Sequence, residues 1–165
     1  MRLDEFNGLD RRAAIEALRP CLEILRWAEE LAEGRPYSSA DELVAAADRA
    51  ASPFTAEEVD GALAHHAPIG RRAAGSTPEA DLSRSEQSGV DPNDVAVGAA
   101  LAAGNAAYEE RFGRVFLIRA AGRSASEMLA LLGERLALSA AEEDVVVAAQ
   151  LREIAVLRLK GLVTA

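Results

Sequence analysis

The sequence predicts an all-α fold: one compact domain of about seven or eight helices over residues 1–165, with a long functional loop at about 68–91. Three observations carry this expectation. Half of the residues are apolar but only 4% are aromatic, so the core must be built from Ala, Leu, Val and Ile, the composition of closely packed helices. Four pairs, Ser39/Glu42, Thr55/Glu58, Ser124/Glu127 and Ser139/Glu142, match the S/T-x-x-E capping box, and each precedes a run rich in Ala, Leu or Val. In that box the hydroxyl satisfies a free backbone N–H and the glutamate reaches back to another. Finally, only Val115–Ile118 (VFLI) reads as extended, and it is too short and isolated to demand a sheet.

Spacing and stop signals then justify each element in turn. From Pro20 to Glu33, Cys21, Leu25, Ala28 and Ala32 fall on one side with Leu22, Trp27 and Leu31 alongside; Gly34 and Pro36 end the run. The Ser39 and Thr55 boxes open the next two helices. The second should end near His65 and His66, because Pro68 disfavours helical geometry at Ala67. Residues 68–91 read PIGRRAAGSTPEADLSRSEQSGVD, with three glycines, two prolines and few large apolar side chains. Such a stretch is expected to be a loop, functional or disordered. Asp91-Pro92 makes an N-cap and first-turn pair for a helix to about Phe112, where Gly113 stops it. The Ser124 box opens another helix. The last runs from roughly Ala140 to Val163 and carries Val145, Val146, Ala149, Ile154, Leu157 and Leu162.

The net charge of −9 argues against a nucleic-acid partner, which needs clustered Lys and Arg, but leaves room for a small anionic substrate. The single cysteine, Cys21, excludes an intramolecular disulfide and a cysteine zinc cluster; beside Leu22, Ile24 and Leu25 it reads as a buried structural thiol. MRLDEFNGLD is too polar for a signal peptide, and no apolar run is long enough to span a bilayer. A reduced, cytoplasmic compartment is expected.

Chemistry centres on HHAPIG, residues 65–70, which holds both histidines. Adjacent helical residues point about 100° apart, so the pair is ill suited to one metal ion, and no ligand set of zinc spacing exists. G-x-S-x-G, G-x-G-x-x-G and Walker-type loops are absent as well. A histidine at a helix end suits proton transfer near neutral pH, or it merely bonds the last free carbonyls. Ser83-Arg84-Ser85-Glu86 also matches the capping box, yet Gly89 and Pro92 follow at once with no apolar run to serve. A short polar turn of Ser85, Glu86 and Gln87 could instead present hydrogen-bonding groups to a ligand. Arg158, between Leu157 and Leu159, either snorkels to the surface or meets an anionic partner.

In this order and spacing the motifs resemble the 2-oxo-4-hydroxy-4-carboxy-5-ureidoimidazoline (OHCU) decarboxylase family. The resemblance covers nearly the whole chain: FN at 6–7, WAEELAEGRPYSS at 27–39, HHAPIG, SRSEQSG at 83–89, NAAYEERFGRVFLIRAAGRS at 105–124 and EIAVLRL at 153–159. It implies decarboxylation of OHCU to (S)-allantoin and CO2, the last step of urate breakdown, by a homodimer needing neither cofactor nor metal. It makes His66 the catalytic histidine and Glu86 the acidic residue, with Ser83, Arg84, Ser85, Glu86 and Gln87 as one substrate wall. A second wall runs from Ile118 through Arg119, Ala120 and Ala121 to Gly122, with backbone groups facing the ligand, and Arg158 matches the family's arginine on the final helix. The family usually has proline directly after the histidine. Here Ala67 takes that substrate-contacting position and Pro68 comes one later; His65 matches no role. The rival reading is a non-catalytic helical module for ligand binding or protein interaction, with 68–91 as its contact surface.

Overall fold

All four S/T-x-x-E pairs open helices in the structure, a computed structural model that describes residues 1–71 and 73–165. The helices are α1 (Leu3–Gly8), α2 (Arg11–Leu18), α3 (Leu25–Glu33), α4 (Ala40–Ala50), α5 (Ala56–Leu63), α6 (Pro78–Glu86), α7 (Val95–Phe112), α8 (Ala125–Leu136) and α9 (Ala140–Leu162). A 3-10 turn, Gln87–Gly89, follows α6. Among the described residues no strand forms, only an isolated bridge between Arg2 and Thr164. The all-α expectation is met, with nine α-helices among the described residues. At Thr55/Glu58, Ser124/Glu127 and Ser139/Glu142 the box bonds run both ways. Ser39 caps the Glu42 N–H, but the Glu42 carboxylate turns one residue earlier, to the N–H and hydroxyl of Ser38.

Three boundaries differ from expectation. Residues 20–24 precede α3 rather than belonging to it: Ile24 is extended (φ −126°, ψ 109°), and Cys21, Leu22 and Ile24 are all buried. The spacing of these side chains is compatible with a helix, but the extended backbone at Ile24 breaks it, so the connection itself enters the core. The helix to Phe112 starts at Val95, because Asp94 accepts the Val97 N–H at 3.0 Å while Asp91 closes only a local turn onto Asn93. Gly113, at φ 68°, ends it in the left-handed region as expected. The third difference is α6 itself, inside the stretch read as a loop. Thr77 accepts the Ala80 N–H at 3.2 Å, Pro78 occupies the first turn, and Glu79 and Asp81 face the positive end of the helix dipole. Only Ala80 of this helix is buried; hydrophobic periodicity therefore had nothing to register.

The chain divides into two compact units, residues 1–62 with 152–165, and residues 63–151. In the first, Phe6, Leu18, Leu22, Trp27, Leu31, Leu43 and Leu159 form the core, and the lone thiol of Cys21 is buried with them. The Trp27 indole donates to the Ala47 carbonyl at 3.0 Å. Asn7 and Tyr37 exchange two bonds, each 2.9 Å, and the Arg35 guanidinium donates to the carbonyls of Ala32, Phe6 and Leu9. The FN and Arg35-Pro36 motifs thus serve the architecture of this unit.

In the second unit α7 packs on α8, and Ile69, Leu101, Tyr108, Phe116, Ile118, Ala120, Met128 and Leu132 form the core. The VFLI stretch is no strand, yet Phe116, Leu117 and Ile118 are buried. Buried backbone outside a sheet needs side-chain partners, and here Arg135 donates to the Leu117 carbonyl at 2.6 Å. The guanidinium also forms a fork on Glu143, which is wholly buried and accepts the Tyr108 hydroxyl. Burial, then the Glu143 bond, pushes the Tyr108 phenol up to about 12, so it remains a donor at neutral pH.

Candidate active site

The site grows from three segments of the second unit. The first leaves α5. The His66 N–H donates to the Leu63 carbonyl at 3.1 Å, closing the helix end, and the residue stands half-buried beside exposed His65 and half-buried Ala67. A helix-end position was expected, and this is one. The chain then passes Pro68 and the buried Ile69 to Gly70, whose φ of +84° is the left-handed conformation glycine alone takes without strain.

The second segment is the C-terminal end of α6. Ser83, Arg84, Ser85 and Glu86 lie on its final turns, and Gln87 is the C-cap. The polar turn read from the sequence is therefore helical, and Ser83 is no N-cap. The five residues are carried on a frame, with Ser83, Arg84, Glu86 and Gln87 half-buried and Ser85 exposed. Arg84 holds the neighbouring loop, donating to the Ala73 and Gly75 carbonyls at 2.9 Å each and pairing with Asp81. Gln87 reaches the first segment: its Oε1 accepts the Gly70 N–H at 2.9 Å.

The third segment is 118–122. Ile118 and Ala120 send their side chains into the core, being 3% and 5% exposed, so any ligand contact there falls to backbone groups. Gln150 Oε1 accepts the Arg119 N–H at 2.9 Å, Arg119 donates to the Ala121 carbonyl, and the Arg123 N–H donates to Ala120. Gly122 turns the chain at φ 76°. The Gln87–Gly89 turn approaches this segment so closely that a Cβ on Gly89 would collide with the Arg123 carbonyl oxygen. Both partners of that contact are backbone, so one chain must move. Gly89→Ala is expected to cost roughly 1–3 kcal/mol in urea unfolding and to lower kcat/KM by separating the two walls; wild-type values for both would show the approach to be immaterial.

Among the described residues, two cavities open here. One of about 250 Å³ is lined by Gly70, Arg71, Arg84, Gln87, Ser88, Val90 and Pro92. The other, about 160 Å³, lies against Pro68, Ile69, Gly70, Arg71 and the Ala102–Glu109 side of α7. Of the residues predicted from sequence, Arg84 and Gln87 line the larger. His66, the α6 terminus and 118–122 are thus brought into one unit by the Gln87–Gly70 bond and the Gly89–Arg123 approach. Arg158 belongs to the other unit, 8% exposed, and donates to the Pro20 carbonyl at 3.2 Å. It does not snorkel. Sequence reasoning gave no role to Gly89, Asn105, Arg135 or Glu143; the first two lie inside quoted motifs, and a glutamate opening an apolar helix was the only signal for the last.

Known proteins resemble the chain in the same terms. A relative from Haloferax volcanii named 2-oxo-4-hydroxy-4-carboxy-5-ureidoimidazoline decarboxylase is 28% identical over 162 residues, covering 96% of this chain and 94% of that protein. A crystal structure of OHCU decarboxylase in the presence of (S)-allantoin superposes with a TM-score of 0.71 at 26% identity, covering 86% of this chain and 93% of that one. An (S)-allantoin synthase structure, at 16% identity and TM-score 0.70, covers 99% of this chain and 54% of its own, and shares the fold. The family model described as OHCU decarboxylase matches residues 7–160, and the chain belongs to that family.

Proposed function

We infer that this chain is a cofactor-independent carboxy-lyase that converts OHCU to (S)-allantoin and CO2, the last step of urate degradation. The observation that carries this is the family match across residues 7–160. The substrate ring bears its carboxylate next to a conjugated C=N/C=O system. When the bond to the carboxylate breaks, CO2 leaves and the electron pair spreads into that ring. A proton must then reach the carbanionic carbon from one face. The protein's task is orientation, charge stabilisation and delivery of that proton.

In the proposed assignment His66 donates the proton and recovers one from solvent. Glu86 sets the histidine's protonation state and accepts from ureido or ring N–H groups. Ser83, Arg84, Ser85 and Gln87 form one wall with Ala67 beside it, and the backbone of Ile118, Arg119, Ala120, Ala121 and Gly122 forms the other. Support comes from the half-burial of His66 and Glu86 and from the Gln87 bond joining their segments. Arg158 enters on the resemblance, as the cation for an anionic oxygen. Freshly made OHCU should decay faster with the protein than without it, in ultraviolet absorbance, and the allantoin formed should carry the circular dichroism of the S enantiomer. No acceleration at any protein concentration would sink the assignment.

The chain acts, in this reading, as one OHCU decarboxylase-like domain in the cytoplasm, where the single buried thiol of Cys21 stays reduced. Among the described residues no helix is long and apolar enough to cross a membrane. A homodimer is supported by α7. No charged residue occurs from Val95 to Tyr108, and Ala96, Ala99, Ala100, Ala103 and Ala107 are all exposed. A face of that size without charge is a docking surface more often than bare exterior. Sedimentation equilibrium should give twice the 17.4 kDa chain mass, and Ala99→Glu with Ala103→Glu should give the monomer; a monomeric wild type would remove this reading.

A further inference from the structure

One peptide group, joining Ile69 to Gly70, is held at both ends by carboxamides. Asn105, in the middle of α7, donates from Nδ2 to the Ile69 carbonyl oxygen at 2.8 Å. Gln87, the cap of α6, accepts the Gly70 N–H of the same peptide at 2.9 Å. The surroundings leave this peptide little freedom. Ile69 is 5% exposed in the core, and Leu101 atoms lie 3.2 Å from where a Cβ on Gly70 would stand. Asn105 Oδ1 is buried with no partner among the described residues. A carboxamide that leaves its oxygen unbonded in the interior is destabilising on that side, so what it contributes is the N–H. A peptide plane fixed at Ile69–Gly70 fixes the exit of the loop that begins at His66. Because Gln87 directly follows Glu86, the same bond ties the end of α6 to that loop.

We propose that Asn105 and Gln87 are positioning residues, clamping the Ile69–Gly70 peptide so that His66 stands in register with Glu86. The proposal rests on His66 as proton donor. It engages the Gln87 oxygen with the protein rather than with the substrate ring.

The test compares Asn105→Leu and Gln87→Met, near-isosteric changes that each remove one bond to the clamped peptide (Gln87→Met also removes the long 3.5 Å bond from Gln87 Nε2 to Ser83 Oγ), with His66→Asn. Displacing a reacting group by about 1 Å costs on the order of 10²-fold, so each clamp variant should lower kcat by roughly 10- to 100-fold with KM within about threefold. The allantoin formed should also lose enantiomeric excess, because a misplaced donor no longer protonates one face alone. Gln87→Glu keeps an acceptor for the Gly70 N–H and should keep amide exchange at Gly70 near the wild-type rate. Amide exchange at Gly70 reads the clamp without turnover and should be faster in Gln87→Met. Folded isosteric variants with kcat within about twofold of wild type, or an effect on KM alone, overturn the proposal; so does Gly70 exchange as fast in Gln87→Glu as in Gln87→Met. If Asn105→Leu does not fold, Gln87→Met, outside the core, decides. Full activity in His66→Asn would instead remove the underlying assignment while leaving the exchange result standing.

Discussion

His66→Asn is expected to remove the acceleration of OHCU decay while leaving the protein folded. General acid catalysis by a positioned histidine contributes roughly 10²–10⁴-fold, and asparagine keeps the polarity and much of the volume without a proton to give. The fold should not notice. The His66 N–H bond to the Leu63 carbonyl, which closes the helix end, is a backbone bond and is kept by asparagine, whose carboxamide also keeps hydrogen-bonding groups at this half-buried position. Thermal unfolding of the variant should therefore match wild type, while absorbance decay falls to the spontaneous rate and the allantoin produced becomes racemic. Near-wild-type formation of (S)-allantoin by the variant would take His66 out of the mechanism.

The largest expected effect on stability lies at Glu143. Its carboxylate is fully buried, receives Nε of Arg135 at 2.9 and 3.1 Å, and accepts the Tyr108 hydroxyl. The Arg135 guanidinium lies 4.6 Å from the Phe116 ring centre and 5.8 Å from that of Tyr108. Glu143→Leu strands that guanidinium in the core. Removing one partner of such a pair costs about 3–5 kcal/mol, which for a chain of this length is a fall in Tm on the order of 10 °C. Combining it with Arg135→Met should return part of the loss, since no uncompensated charge remains. The Leu117 carbonyl would still lack its donor, a penalty of about 1–3 kcal/mol. Because Leu117 leads directly into 118–122, the double variant should stay below wild type in kcat/KM. Urea unfolding measures both; Glu143→Leu within about 1 kcal/mol of wild type would mean that the pair supports little.

Helix starts were the most legible part of the sequence, since a capping box is a local device whose partners sit three residues apart. Thr55, Ser124 and Ser139 each make the bonds their spacing foretold. The elements misread were those whose reasons are not local. Residues 20–24 looked helical because their apolar side chains have helical spacing, yet they enter the core as a connection. Helix α6 looked like a loop because it buries almost nothing. Its start signal, Thr77-Pro78, was present but stood in a stretch weighed by composition. At the candidate site, the motif order singled out His66, Glu86 and the two walls proposed above. The parts that hold them, Asn105, Gly89, Arg135 and Glu143, were passed over because each acts on backbone far away in the chain.

The sequence by itself determined the helical class and most helix ends, and its resemblance to the family singled out the histidine and glutamate on which the proposed chemistry rests. These follow from propensity, capping and motif order, which are properties of neighbouring residues. Only the tertiary structure decided that Ser83–Glu86 ride on a helix, that Gln87 bonds the loop after His66, and that a buried Arg135–Glu143 pair holds the start of the second wall. Those contacts join residues 17 and 18 positions apart and a backbone approach from Gly89 to Arg123. A hydrogen bond across such separations depends on where packed helices deliver their side chains, and no local pattern encodes that.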